Sequence, residues 1–253
     1  MLIAHLSDFH VFSDVKETAP VRDDAANAAR AVVRAVVDHT PDLVLISGDL
    51  ADGGSPADYA LIRDILAPLT MPVLAVPGNH DHRDHFIAAF ADMIRFDGGF
   101  AQFDRIIKGL RVIGLDTMIP GDVRGELCDA RLDWLEQRLA QPHDGPTCLM
   151  MHHPVFPTGL ADMDGSLIRG ADRLAALIRH RDLYIIAGHV HRPVQTLWQG
   201  HLCAIGGGPA FQHVLDFDHA PGFVTEPYVF YLHRLLPCGS VTIHPCHDAG
   251  IRT

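Results

Sequence analysis

The chain has 253 residues, 48% of them hydrophobic and 20% charged, which suits one folded domain with a sizeable core and excludes a disordered chain. A formal charge of −11, with no Lys/Arg stripe, opposes a nucleic-acid polymer as partner. No apolar run reaches membrane-spanning length, and the opening "MLIAHLSDFH" lacks the basic start of a secretory signal, so a cytoplasmic protein is expected.

In chain order, "LIAHLS" (2–7) reads as a buried strand. Asp23 to Asp38 has apolar Ala28, Val32 and Val36 at four-residue spacing, the pattern of an amphipathic helix. "DLVLIS" (42–47) is a second strand. "SPADYALIRDILAPL" opens with a Ser N-cap and Pro at the first turn, a good helix start. "PVLAVP" (72–77) is a third strand, and His82 to about Met93 reads as a helix. "FAQFDRIIKGLRVIGLD" reads as a hairpin turning at Lys108-Gly109. The helix "DARLDWLEQRLAQ" (129–141), the strand "TCLMMH", the helix "SLIRGADRLAALIRH" and the strand "LYIIAGH" follow. Short strands then close the chain: "PVQTLWQG", "HLCAIGG", "YVFYLHRLL" and "SVTIHP". The segment Gly206–Pro227 reads as a long pocket or interface loop. The last residues, "HDAGIRT", are expected to fray. Strands joined first through helices and then through hairpins predict an α/β sandwich with a mixed sheet or two stacked sheets.

Five cysteines without a C-x-x-C pair read as reduced, buried thiols, with a bridge through Cys238 or Cys246 the lesser alternative. The 18 histidines matter through their clustering. His39, His143 and His180 fall at helix ends or in loops and read as solvated or capping groups.

Five polar clusters stand at strand C-terminal ends: Asp8-Phe9-His10, Gly48-Asp49, Gly78-Asn79-His80-Asp81, His152-His153 and Gly188-His189-Val190-His191. That edge is where ligands bind in open α/β sheets. Any one cluster alone is more often a capped helix or a satisfied core histidine. Five in order are not independent accidents. They supply two carboxylates, an amide oxygen and four imidazoles, with no thiolate, which suits Zn, Mn, Fe or Co and disfavours Ca. Seven ligands exceed one tetrahedral ion and suit two ions sharing a carboxylate, with Asp49 the natural bridge.

D-x-H, G-D, G-N-H-D, H-H and G-H-x-H in this order resemble the calcineurin-like metallophosphoesterases. "MLIAHLSDFH", "ADMDGSLIRGADRLAALI", "MHHPVFPTG" and "AGHVHRPV" are similar to the branch of bacterial glycerophosphodiesterases and class III cyclic-nucleotide phosphodiesterases. The likeness covers roughly residues 1–215 and implies one catalytic domain over 1–253, a four-layer α/β/β/α sandwich with two mixed sheets. It implies one divalent ion on Asp8, His10, Asp49 and His191, and a second on Asp49, Asn79, His152 and His189. His80 would face the scissile phosphate as a catalytic group, and a homo-oligomer is expected.

Two such ions lower the pKa of water, offset phosphoryl charge and align the attack, so the expected function is hydrolysis of small phosphodiesters, glycerophosphodiesters among them, by a metal-activated hydroxide. The alternatives are a 3′,5′-cyclic-nucleotide phosphodiesterase and, in another class, a non-catalytic scaffold of the same fold. Asn79, His80 and His213 are the candidate substrate contacts. Asp81 reads as a cap for the following helix, or else as a carboxylate orienting His80. His153 reads as a supporting or packing residue. The sequence leaves the nucleophile (bridging or terminal), the metal and the physiological diester open.

Overall fold

The strands alternate their side chains between two cores, and that period of two sets the layers. The computed structural model describes residues 1–14, 24–165, 168–217 and 222–247. In β8 (Thr147–Met150) and β9 (Leu183–Ala187), Cys148, Met150, Tyr184 and Ile186 face one core. Leu149, Ile185 and Ala187 face the other. Strands buried on both faces need apolar residues at every position, which is why "TCLMM" and "LYIIA" read as continuous apolar runs.

One sheet has the order β15-β14-β1-β2-β3. β1 (Leu2–Leu6), β2 (Leu43–Ile46) and β3 (Val73–Ala75) run parallel, linked through α1 (Ala25–His39) and α2 (Pro56–Leu66). β14 (Val229–Leu235) and β15 (Val241–His247) add antiparallel strands beside β1. The other sheet has the order β10-β11-β9-β8-β5-β4. Its β5 (Leu110–Gly114), β8, β9 and β11 (His201–Ile205) are parallel; β4 (Phe103–Ile107) and β10 (Val194–Trp198) are antiparallel edges. α1, α2 and α3 (Arg83–Phe90) pack with the first sheet through Val32, Val36, Ile62 and Phe86. α4 (Asp129–Leu139) and α6 (Ala171–Ile178) cover the second through Leu132, Leu135, Leu174 and Ile178. This is the α/β/β/α sandwich with two mixed sheets.

Local chemistry explains several element ends. Ser55 and Asp58 form a reciprocal cap at α2: Ser55 Oγ accepts from Asp58 N at 3.1 Å, and Asp58 Oδ2 accepts from Ser55 N at 2.9 Å. Lys108 and Gly109 both have positive φ (49° and 85°), the two-residue hairpin turn whose twist suits its strands.

Other expectations need correction. Of the helix expected over 166–180, residues 166 and 167 lie outside the described residues; among the rest the helix spans Ala171–Ile178, because Gly170 (φ 90°) starts it and Arg169 still bridges to Glu126. The helix expected to reach Met93 ends at Phe90. "YVFYLHRLL", read only as a short strand, forms β14 inside the first sheet, between β1 and β15. The loop 206–227 carries a small ribbon, β12 (Gln212–His213) against β13 (Phe223–Val224), with 218–221 outside the described residues. A further ribbon of β6 (Met118–Ile119) and β7 (Asp122–Gly125), and a short helix α5 (Ala161–Asp164), have no clear sequence pattern. Residues 15–23 and 248–253, with most of "HDAGIRT", also lie outside the described residues. All five cysteines are free; Cys148 and Cys203 are buried, but Cys238 is exposed. Among the described residues no helix is long and apolar enough to cross a membrane.

Candidate metal centre

The parallel strands β1, β2, β3, β8 and β9 all end on one edge of the sandwich, and each hands its next residues to the same point. Beyond β1 and β2 the backbones stay paired: Asp8 N donates to Gly48 O (3.0 Å), His10 N to Asp49 O (3.0 Å) and Val11 N to Leu50 O (2.9 Å). Across the sandwich, Asp8 Oδ1 accepts from His189 N at 3.1 Å, which ties the two sheets together. Eight non-glycine residues have positive φ among the described residues. Lys108 and Gln199 are in hairpin turns and Thr40 ends α1. The other five are Asp8, His10, Asp49, His189 and His191. Such left-handed backbone costs about 1–3 kcal/mol per residue and persists where surrounding structure enforces it. Gly48 (φ 101°) makes room: a Cβ there would lie 2.4 Å from His152 Nδ1.

The hydrogen bonds fix which nitrogen each imidazole turns inward. His191 Nδ1 lies 3.1 Å from the Phe211 carbonyl, which can only accept, so Nδ1 carries the proton and Nε2 is bare. His10 Nδ1 lies 3.2 Å from Asp52 Oδ1, with the same consequence. The two bare Nε2 atoms then face each other at 3.2 Å. Asp49 Oδ2 is 3.6 Å from His10 Nε2, and Asp8 Oδ1 is 3.5 Å from His191 Nε2. Four acceptors converge with no donor between them.

The same logic holds next door. His152 donates Nδ1–H to the Ser47 carbonyl at 2.8 Å and turns Nε2 toward Asn79 Oδ1 (3.1 Å) and Asp49 Oδ2 (3.3 Å). His189 Nδ1 meets Asn79 Oδ1 at 3.0 Å. Carboxylate and amide oxygens and imidazole nitrogens converge here, and this donor set fits divalent metal ions.

His153 also lies close to His152 and His189. Its Nδ1 is 2.8 Å from Thr117 Oγ1 and its Nε2 3.2 Å from the Val123 carbonyl, so both nitrogens are already used. It packs and supports rather than ligates.

The electrostatics describe a metal-free cavity that attracts positive charge. Burial disfavours charge on His152, but the Asp49 and Asp8 carboxylates overcome it and raise its pKa to about 9. Burial opposes ionisation of Asp49 too, yet the surrounding imidazoles hold its carboxyl well below the usual range. Burial lifts Asp8 to about 6. Burial, aided by charge on His152, pushes His189 down to about 3, and burial with His10 holds His191 low as well. Neutral imidazoles and ionised carboxylates are the states that bind metal.

Asp8, His10, Asp49, Asn79, His152, His189 and His191 thus all come together. His80 stands beside them, half-exposed, its backbone N donating to Asp49 Oδ1 at 2.9 Å. Its Nδ1 lies 3.2 Å from Asp52 Oδ1, the same oxygen that meets His10. Burial lowers the His80 pKa, but Asp52 and Asp49 outweigh it and raise it to about 9. His213 sits at the rim, its ring 5.7 Å from that of His191 and 5.0 Å from Phe223.

The Asp81 expectation is corrected. Its buried carboxylate neither caps α3 nor touches His80. Instead it accepts from Gly78 N (2.9 Å), Leu50 N (3.2 Å), Ala51 N (3.1 Å) and Tyr59 Oη (2.8 Å), and so clamps the Asp49 loop to the Asn79 loop. Sequence reasoning also missed Asp52 as a partner of His80. Its place three residues after Asp49, in a Gly-rich loop, was the available signal. The Ser47 and Phe211 carbonyls carry no side-chain signal at all.

The model of the calcineurin-like phosphoesterase family matches residues 1–193, and the chain belongs to that family. A protein of Rhodopseudomonas palustris named as a probable cyclic nucleotide phosphodiesterase is 35% identical over 235 residues, covering 88% of this chain and 84% of that one. The glycerophosphodiester phosphodiesterase GpdQ of Enterobacter lignolyticus is 32% identical over 236 residues, covering 90% and 82%. A dimetal phosphatase from Danio rerio shares the fold, with a TM-score of 0.73 at 14% identity, covering 98% of this chain and 96% of that one.

Proposed function

We propose that the protein is a metal-dependent phosphodiesterase that hydrolyses small phosphodiesters, glycerophosphodiesters among them. The observation that carries this reading is the position of Asp49 Oδ2, 3.6 Å from His10 Nε2 and 3.3 Å from His152 Nε2. One carboxylate oxygen serves two groups of acceptors. Asp8, His10, Asp49 and His191 would hold one divalent ion; Asp49, Asn79, His152 and His189 would hold the other. Fe, Zn, Mn and Co all suit these donors. Such a pair supplies positive charge for the phosphoryl oxygens and lowers the pKa of water toward neutrality.

The chain's own groups do the rest. His80, protonated at neutral pH, donates to a phosphoryl oxygen or to the departing alkoxide, with Asp52 holding its ring. His213 and Asn79 contact the substrate from the rim and the floor. The five unpaired thiols suit a reducing compartment, and we place the reaction in the cytoplasm.

A second reading, a 3′,5′-cyclic-nucleotide phosphodiesterase, is supported by relatives such as the 3′,5′-cyclic AMP phosphodiesterase CpdA of Escherichia coli, 29% identical over 204 residues. Turnover of a glycerophosphodiester and of cyclic AMP with Mn²⁺ separates the two by kcat/KM. Asp49→Asn should abolish turnover of bis(p-nitrophenyl) phosphate; a fully active variant would sink both readings, and an inactive wild type would leave the non-catalytic scaffold.

A further inference from the structure

Beside the metal centre, the chain after β11 makes a ribbon so small that it needs outside support. β12 and β13 pair over two residues each, Gln212 with Val224 and His213 with Phe223. A two-stranded ribbon is marginal in water by itself. Side chains supply the missing bonds. Arg192, the residue after the proposed ligand His191, donates from Nε to the His213 carbonyl and from Nη2 to Glu226 Oε1 at 2.9 Å. Gln212, buried, donates from Nε2 to the Gly208 carbonyl, and its Oε1 accepts from Glu226 N at 2.6 Å. The partners settle each direction: a guanidinium and a backbone N–H only donate, and a carbonyl only accepts.

These bonds hold the ribbon close to the centre. Gly208 N donates to the His191 carbonyl at 3.2 Å, and a Cβ on Gly208 would lie 3.1 Å from His191 Nδ1. The Phe211 ring lies 4.0 Å from the His191 ring. From there the rings run outward. Phe223 stands 5.3 Å from Phe211, nearly perpendicular at 85°, and 5.0 Å from His213.

Apolar exposure is concentrated at the same place. Seven large hydrophobic side chains are exposed among the described residues, and four of them, Val214, Leu215, Phe217 and Phe223, lie on or beside the ribbon. The other three belong to β4, β7 and β10. A cluster of this kind marks a contact surface. The unbroken run of rings from Phe223 down to His191 selects its occupant: an alcohol group of the diester whose phosphoryl the centre would hold. A flat ring can stack against Phe223 and His213, whereas a polyol gains little from them.

We propose that Phe223 and His213 form an aromatic wall that favours diesters carrying a flat, apolar alcohol group, and that Arg192 is the positioning residue that sets the wall. The inference rests on the phosphodiesterase reading above and narrows its substrate.

The test uses the full-length chain loaded with Mn²⁺ and turning over bis(p-nitrophenyl) phosphate, with diphenyl phosphate and dimethyl phosphate as competing anions. Both carry the same charge to the centre, so the ratio of their Ki values reads the wall. The wild type should prefer diphenyl phosphate. Phe223→Ala should cut that preference roughly three- to tenfold, the loss of about one aromatic pair. Phe223→Tyr should restore it. Arg192→Met, which keeps the apolar stem and loses the donors, should cut it too. Because Arg192 acts through the ribbon, the double variant Arg192→Met with Phe223→Ala should lose no more than the larger single loss.

Equal Ki values in an active wild type, or a preference that Phe223→Ala leaves unchanged, overturn the wall. Losses that add overturn the part given to Arg192. If Arg192→Met fails to fold, Phe223→Ala, which trims an exposed ring, still decides. A wild-type dimer that Phe223→Ala dissociates with the preference intact gives the surface to a second copy of this chain and overturns the proposal. A wild type that turns over no diester overturns the phosphodiesterase reading itself, and the missing turnover tells that failure from failure of the wall.

Discussion

His80 Nδ1 and Asp52 Oδ1 lie 3.2 Å apart, and the same Asp52 oxygen is 3.2 Å from His10 Nδ1. One carboxylate therefore supports both a proposed ligand and the proposed acid. Asp52→Asn should lower kcat/KM by roughly 10–100-fold with the fold intact. In the metal-free protein the protonated His80 is lost as pH rises through about 9. Nearby divalent cations push that value down, so the alkaline limb of the loaded enzyme should fall below 9. Asp52→Asn should move it further toward acid. A pH–rate profile of both proteins checks the shift, and an unmoved limb removes His80 as the acid.

Metal uptake should depend on pH. With its pKa raised to about 9, His152 holds a proton in the metal-free site at neutral pH. An arriving ion must displace that proton. Apparent affinity for the ion on His152 should therefore rise about tenfold per pH unit between the ordinary imidazole value of about 6.5 and 9. Calorimetry in buffers of different ionisation enthalpy would count the released proton.

Tyr59 is a remote residue with a local consequence. Its Oη donates to Asp81 Oδ1 at 2.8 Å and accepts from His82 N at 3.0 Å, so it braces the Asp81–His82 end of the segment that carries Asn79 and His80. Tyr59→Phe should destabilise the protein by about 1–3 kcal/mol. At this chain length that is a drop of several degrees in Tm, at about 2–4 °C per kcal/mol. The variant should also lose kcat more than KM, because aim is lost rather than affinity. Calorimetry and steady-state kinetics on one preparation test both.

The buried imidazoles should also shape acid stability. His5 is held down at about 3 by burial, and His233, buried against it, is low for the same reason. In the unfolded chain both titrate near 6.5. Between those values the unfolded state binds more protons, so stability falls as pH drops from about 6.5 toward 3. His233→Phe should flatten that fall. Urea melts of chelator-treated protein at about pH 7 and 5 would show it, and equal slopes would refute it.

Much of this was legible in the chain. Continuous apolar runs ending in Gly-Asp or Gly-Asn-His mark parallel strands buried on both faces, and the ligand edge follows from strand direction. Lys108-Gly109 marks a hairpin because glycine tolerates positive φ. What stayed hidden has no periodic signature. The ribbon Met118–Gly125 is too short to show alternation. The Asp81 clamp joins groups that are mostly backbone amides. Asp52 looks like any loop carboxylate until His10 and His80 are placed on either side of it. The helix start at Gly170 shows why an apolar pattern alone overruns: Ile168 to Gly170 share the period but not the conformation.

The five left-handed residues at Asp8, His10, Asp49, His189 and His191 set this protein against its own durability. Each would relax if the chain were free to lose its chemistry. Drift toward glycine or toward gentler bends at these points should give descendants that melt later and catalyse nothing. A long-lived, inert cousin is therefore the expected fate of any lineage in which selection for turnover lapses.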